Sequence, residues 1–264
     1  MGSFIKLSNF VKIAPYAELF GQGLLITVLL SLFTVMIGFV LALVLALMRM
    51  SNFCPFRFLG LTKDGHLRDD DGSFAVKLSR FNPLAFLATA YVEILRSTPV
   101  IVQVMIIYHG VFGLLFDLPA FTFFGFIKFE RFFPGVVAMG MNSGAYLCEI
   151  IRSGLQSVDG GQSEASRSLG LNQVQTLKFI ILPQAIRNIL PAIANEFVVI
   201  IKESAITYTI GVQDIMFAAN AVKGATFVVL EPLLVATAIY FCLCFPTSNI
   251  IAHFERRMSR GSKR

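Results

Sequence analysis

A chain of 264 residues that is 56% hydrophobic and 14% charged, with a mean hydropathy of +0.73, lies far from soluble proteins, in which charged residues alone approach about a quarter. Its main solvent is the bilayer. The net charge of +6 would suit nucleic acid, but the basic residues sit in short segments between apolar runs and build no basic surface interleaved with aromatics, so that partner is excluded. Cys54, Cys148, Cys242 and Cys244 show no C-x-x-C spacing and His66, His109 and His253 are scattered, so neither disulfides nor a metal site is expected.

Taken in order, five runs are long enough to cross about 30 Å of hydrocarbon at about 20 helical residues each: 22–48, 97–116, 133–152, 185–206 and 230–252. The first is too long for a signal-peptide core and is followed by Arg49 instead of a cleavage site, so it is read as a retained span. After it, residues 53–82 contain the polar stretch from Lys63 to Gly72, which predicts a solvated loop or small hairpin. The apolar segment from Pro83 to Leu95 leads into Arg96, and Pro99 predicts a kinked start to the second span, an elbow at the cytoplasmic surface. The fourth run is interrupted by Glu196, Lys202 and Glu203 but holds enough Ile, Val, Phe and Leu to span when packed. Long continuous runs, not ten-residue alternation, make this an all-α membrane protein of about five transmembrane helices.

Lys and Arg set the orientation. The segments after the first span, between the third and fourth, and at the C-terminus hold Arg49, Arg57, Lys63, Arg68, Lys77 and Arg80, then Arg152, Arg167, Lys178 and Arg187, then Arg256, Arg257, Arg260, Lys263 and Arg264. The other side has only Lys6, Lys12, Lys128, Arg131 and Lys223. The expectation is a multi-pass membrane protein with its N-terminus outside and its C-terminus cytoplasmic. It would form one membrane domain over 1–264, with cytoplasmic loops at 53–82 and 154–183.

Between the third and fourth spans, the residues from Glu164 to Leu169 predict a short helix that ends at Gly170, a residue able to take the left-handed conformation. Asn172, with Gln175 three residues on, reads as an N-cap with a box partner opening a second helix, which Pro183 interrupts or redirects. The product is a rigid helix-turn-helix outside the membrane. Glu164-Ala165-Ser166, then Gly170, then Ile180-x-Leu182-Pro183 resembles the EAA loop of bacterial ABC importer permeases, the segment that fits a groove on the ATPase subunit. Ser166 stands where the family usually has a second alanine, and Val158-Asp159-Gly160-Gly161 where a proline and a lysine commonly precede Gly-Gln. The stretches Glu93 to Gln103, Asn142 to Ile150, Leu182 to Arg187 and Asn195 to Phe197 resemble the polar amino acid branch, typified by histidine, arginine and glutamine permeases. The family's connection after the first span is usually short, so 53–80 looks like an insertion.

The resemblance implies a type I importer permease fold, with Glu164, Ala165, Ser166, Gly170, Ile180, Leu182 and Pro183 coupling to the ATPase. It also implies two ATP-binding subunits, a second permease chain, identical or paralogous, an external solute-binding protein, and movement of a polar amino acid by alternating access. No G-x-x-x-x-G-K-[ST] occurs, so the chain is not read as an enzyme and binds no cofactor itself; ATP-Mg belongs to the partner.

Polar residues inside spans are costly in lipid and are candidates for the substrate path. Asn142, Tyr146 and Glu149 fall at i, i+4 and i+7 on one face of the third span, either lining a route or bonding neighbouring helices. Glu196, near mid-depth in the fourth span, could meet the cationic group of an amino acid or lock helices together; Lys202 could attract a carboxylate or pair locally; Gln103 could supply an amide to the same cavity or bond between helices. The rival reading is an independent secondary carrier or ion channel relaying charge through Glu196 and Glu149.

Overall fold

The structure is a computed structural model that describes residues 6–51, 53–57 and 74–260. Within them the expected all-α fold forms. A short helix α1 (Leu7–Ile13) leads through one 3-10 turn (Ala14–Tyr16) into the long α2 (Ala17–Met50). Then come α3 (Phe74–Ser79), α4 (Pro83–Ser97) and α5 (Val100–Met105), which runs on as a π-helical segment, Ile106–Phe112. A two-stranded antiparallel hairpin, β1 (Thr122–Phe123) and β2 (Ile127–Lys128), precedes α6 (Phe129–Gln156). The remainder is α7 (Gly160–Ser168), α8 (Gln173–Thr176) with a π segment Leu177–Ile181, α9 (Leu182–Glu203) with a 3-10 segment Ser204–Ile210, α10 (Ile215–Thr226) and α11 (Leu230–Arg260). The Lys63–Gly72 stretch lies outside the described residues.

α2 shows how a helix is sorted when lipid, not water, surrounds the bundle. Its buried stripe is small and weakly polar (Thr27, Ser31, Thr34, Gly38, Ala42), while Phe33, Met36, Val40, Val44 and Leu47 are exposed. Lipid tails are as apolar as leucine, so close backbone approach and not hydrophobicity draws such helices together. That approach is made on α6. A β-carbon on Gly38 would lie 2.8 Å from the Ser143 hydroxyl, and one on Gly144 would lie 2.8 Å from Leu41 Cδ2. α6 is accordingly the axis of the bundle, buried from Val136 to Ile151 on most of its positions.

The apolar core divides along α6. One cluster, at the end that leads to α7, joins Ala42, Leu45 and Ala46 of α2, Ala88 and Val92 of α4, Leu147, Cys148 and Ile151 of α6 and Ala185 and Ile189 of α9. A second, further from α7, joins Ile26 and Leu30 of α2, Val104 of α5 and Phe132, Val136 and Met139 of α6. A third, at the far end, packs α10 on the starts of α2 and α11.

This arrangement corrects the second span. It is not one helix over 97–116 with its elbow at the cytoplasmic surface. α4 packs with the α7-end cluster and α5 with the next, and their axes meet at 110° across the break at residues 98–99. The elbow therefore lies beside the middle of α6. Pro99, which cannot donate to Leu95, and Thr98, held extended ahead of it, end α4 there. By length and apolarity, 8–50 and 230–257 qualify as membrane-crossing, and the bent pair makes a third. α6 and α9 have 28 and 22 residues, long enough to cross, but are more polar.

Pro183 does not break the chain either. It sits in the first turn of α9, directly after the π segment, whose wider hydrogen-bonding register absorbs the missing donor, while Gln184 Nε2 donates to the Ile180 carbonyl at 2.9 Å. Ser51 and Asn82 are tied together, Asn82 Nδ2 donating to the Ser51 carbonyl at 2.5 Å and lying 3.2 Å from its hydroxyl. The chain thus leaves α2 and returns to α4 at one point.

Candidate functional site

The helix-turn-helix after α6 is built by local chemistry. Asp159 caps α7 by accepting from the Gly161 N–H at 2.9 Å, which accounts for an aspartate at the unusual Val158-Asp159 start. α7 stops at Gly170, at φ +86°, with the Leu171 N–H bonded to the Ser166 carbonyl and the Gly170 N–H to the Arg167 carbonyl, the paired bonds of a Schellman end. The predicted box is present: the Gln175 N–H donates to Asn172 Oδ1 and the Asn172 N–H to Gln175 Oε1, both at 2.9 Å. Ser166 is buried, its hydroxyl 2.9 Å from both the Ser163 carbonyl and the Thr176 hydroxyl, so one polar contact locks α7 onto α8.

Of the expected coupling residues, Glu164, Ala165, Gly170, Leu182 and Pro183 are exposed, Ile180 is half-buried and only Ser166 faces inward. Around them Leu169, Val174 and Phe179 are 81%, 71% and 60% exposed. Three large apolar side chains on a capped, rigid loop form a surface suited to docking.

The intramembrane candidates divide. Gln103 and Asn142 are brought together at the elbow, Asn142 Nδ2 donating to Gln103 Oε1 at 2.9 Å. Gln103 Nε2 lies 2.8 Å from the Leu95 carbonyl, 3.0 Å from the Thr98 carbonyl and 2.8 Å from the Thr98 hydroxyl. These are the acceptors left open where α4 ends, so the two amides staple the break. Tyr146, one turn along α6, is exposed and lies under the Arg96 guanidinium at 5.5 Å from its ring centre. Glu149 is held by Arg49 at 3.1 Å and by both Nε and Nη2 of Arg152. Glu196 is half-buried and Lys202 exposed on α9, and neither has a hydrogen bond or ion pair among the described residues. The stripe 142-146-149 is therefore one staple, one open aromatic and one ion-paired knot, and among the described residues Glu196 has no hydrogen bond to Gln103 or Asn142. Sequence reasoning passed over Arg96, although an arginine within an apolar run is a signal in itself.

The profile of the family described as "Binding-protein-dependent transport system inner membrane component" matches residues 72–260. The chain belongs to this family. It is 34% identical to the arginine transport system permease protein ArtQ of Bacillus subtilis, over 95% of this chain and 97% of that one. It is 32% identical to a putative glutamine transport system permease protein GlnP of Rickettsia typhi, over 96% and 98%. Among solved structures it matches an amino acid ABC transporter crystallised with histidines, with a TM-score of 0.76 and 36% identity over 96% of this chain and 99% of that one. As a binding-protein-dependent permease it has the type I importer fold and is the membrane subunit of an ABC importer; the carrier and channel readings are set aside.

Proposed function

We propose that this permease imports a polar amino acid, working with two ATP-binding subunits, a second permease chain and an external solute-binding protein. The observation that carries the reading is the capped helix-turn-helix from α7 to α9, which presents Glu164, Ala165, Gly170, Leu182 and Pro183 with three bare apolar side chains on a body fixed by Ser166 and Thr176. ATP binding and hydrolysis on the partner move this loop, and α6 and α9, which flank it, carry the motion into the bundle. In this reading the loops 53–82 and 154–183 and the C-terminus are cytoplasmic and the N-terminus is outside, within a single membrane domain. The relatives' names, arginine and glutamine, support the substrate class. On the substrate side Tyr146 and Glu196 stay free to face solute, Glu196 toward an ammonium group, with Lys202 near the outer end; Gln103, Asn142 and Glu149 shape the path by holding helices.

Gly170→Val tests the reading. A β-branched residue at φ +86° strains the turn without meeting any neighbour, since nothing lies within 4 Å of the added β-carbon. In proteoliposomes containing the full complex, solute-stimulated ATP hydrolysis and uptake should fall together by tenfold or more, by about 1–2 kcal/mol of strain at the docking turn. Uptake that persists without ATP dependence would restore the carrier reading.

A further inference from the structure

Where α2 ends beside the last turns of α6, a cavity of about 210 Å³ is lined by Ala46, Arg49, Met50, Arg152, Leu155 and Gln156. Arg49 and Arg152 converge on the single carboxylate of Glu149, so two guanidinium groups face one negative charge and the site keeps an excess of one positive charge. Arg152 gives one N–H each from Nε and Nη2 to Glu149 and one from Nη1 to Gln156 Oε1, which leaves an N–H on each terminal nitrogen, and its side chain is 39% exposed; Arg49 gives Nη1 to Glu149 and is 17% exposed. Both forks are thus pre-positioned. The cavity's other wall is apolar and includes Met50, which shares one face of α2 with the exposed Leu43 and Leu47 at i, i+4 and i+7. Charge at the rim and an uncovered aliphatic track leading away from it match one kind of molecule, an anionic phospholipid with its phosphate on the arginines and an acyl chain on α2.

We propose that this cavity binds the phosphate of an anionic phospholipid. Guanidinium forks pair with phosphate oxygens, and a basic pocket between helices at the cytoplasmic interface lies at headgroup depth. That depth rests on the reading that the α7 end is cytoplasmic. The knot with Glu149 fixes the arginines in the absence of lipid, and the lipid phosphate takes the charge that Glu149 leaves uncompensated. A free phosphate ion would use the same forks but would not use the aliphatic track.

The test uses the complete complex in nanodiscs of phosphatidylcholine with one fifth phosphatidylglycerol, counting retained phosphatidylglycerol by native mass spectrometry after detergent extraction. Arg49→Gln with Arg152→Gln should retain about five- to thirty-fold less, whereas Lys77→Gln, an exposed cation on α3, should retain as much as the unmodified chain. Glu149→Gln breaks the same knot but raises the site's net charge, so retention should rise several-fold; if the knot served only packing, it would fall. Leu155→Trp fills the cavity with no change of charge and should also lower retention. Equal retention in all variants, a fall in Glu149→Gln, or displacement of the lipid by millimolar inorganic phosphate would each overturn the proposal. ATP hydrolysis by the unmodified complex reports loop docking separately, so a misassigned orientation shows itself there and not in the lipid count.

Discussion

Ser166 adds a hydroxyl to the β-carbon of the alanine that the family usually carries, and the residue is 4% exposed. Its partner, the Thr176 hydroxyl, is equally buried. Removing the Ser166 hydroxyl orphans that of Thr176, at a cost of about 1–3 kcal/mol, whereas Ser166 still donates to the Ser163 carbonyl when Thr176 loses its own, so the second loss is smaller, and removing both is closer to neutral because nothing polar remains to be satisfied. Ser166→Ala and Thr176→Val should therefore each lower the thermal midpoint of the detergent-solubilised complex, and the double variant should lose less than the two losses added. A strictly additive double variant would show that the hydroxyls do not bond. The same site shows what local chemistry made legible. Gly170, Asn172 and Gln175 are read in sequence because a cap needs only its neighbours, and their geometry is as expected. The inward turn of Ser166 was not legible, since its reason lies ten residues away on another helix.

Among the helices, existence was legible and placement was not. Continuous apolar runs announced α2 and α11, and the polar interruptions of α9 did not prevent a 22-residue helix. The elbow was misplaced because Pro99 marks where a helix ends, not which neighbours the two halves find; only the separate packing of Val92 and Val104 fixes its depth. Pro183 does mark an interruption, but one taken up by the π segment Leu177–Ile181 so that the chain stays helical, a detail the residue alone does not specify. Contact between α6 and α9 is a case with a sharp consequence. A β-carbon on Gly154 would lie 2.2 Å from Ile189 Cγ1. Gly154→Ala should cost about 1–3 kcal/mol by overpacking, despite alanine's better helix propensity. Ile189→Ala in the same chain should recover most of the loss, whereas each change alone destabilises. Folded yield and thermal midpoint of the four chains decide it; a neutral Gly154→Ala would mean that α6 and α9 are looser than this contact implies.

Across the whole molecule, α4 is packed into the cluster nearest the α7–α8 turn and α5 into the next one along, so the second span belongs to two bodies. α6 passes through both, and at the level where they meet its Asn142 holds the Gln103 amide that fastens the end of α4. If the proposed loop delivers motion to α6 and α9, that motion reaches α5 either through side-chain packing or through this staple. The staple is the only described hydrogen-bonded link that includes α4, α5 and α6 together, and it is 5–8% exposed at its two amides. Gln103→Leu keeps the volume and removes both amide functions, leaving the Thr98 carbonyl short of a donor, the Leu95 carbonyl with only the longer 3.4 Å bond from Asn142 Nδ2, and Asn142 short of an acceptor. Stability should fall by about 1–3 kcal/mol. If the elbow transmits the stroke, the ratio of solute moved to ATP hydrolysed should fall several-fold beyond any loss of folded complex, because the ATPase subunits still dock on an unaltered loop. Gln103→Glu retains an acceptor for Asn142 but sets a buried carboxylate oxygen against the α4 carbonyls, so its stability should fall at least as far as that of Gln103→Leu. Hydrolysis and uptake that decline in equal proportion would assign the staple to folding alone and leave packing along α6 as the route of coupling.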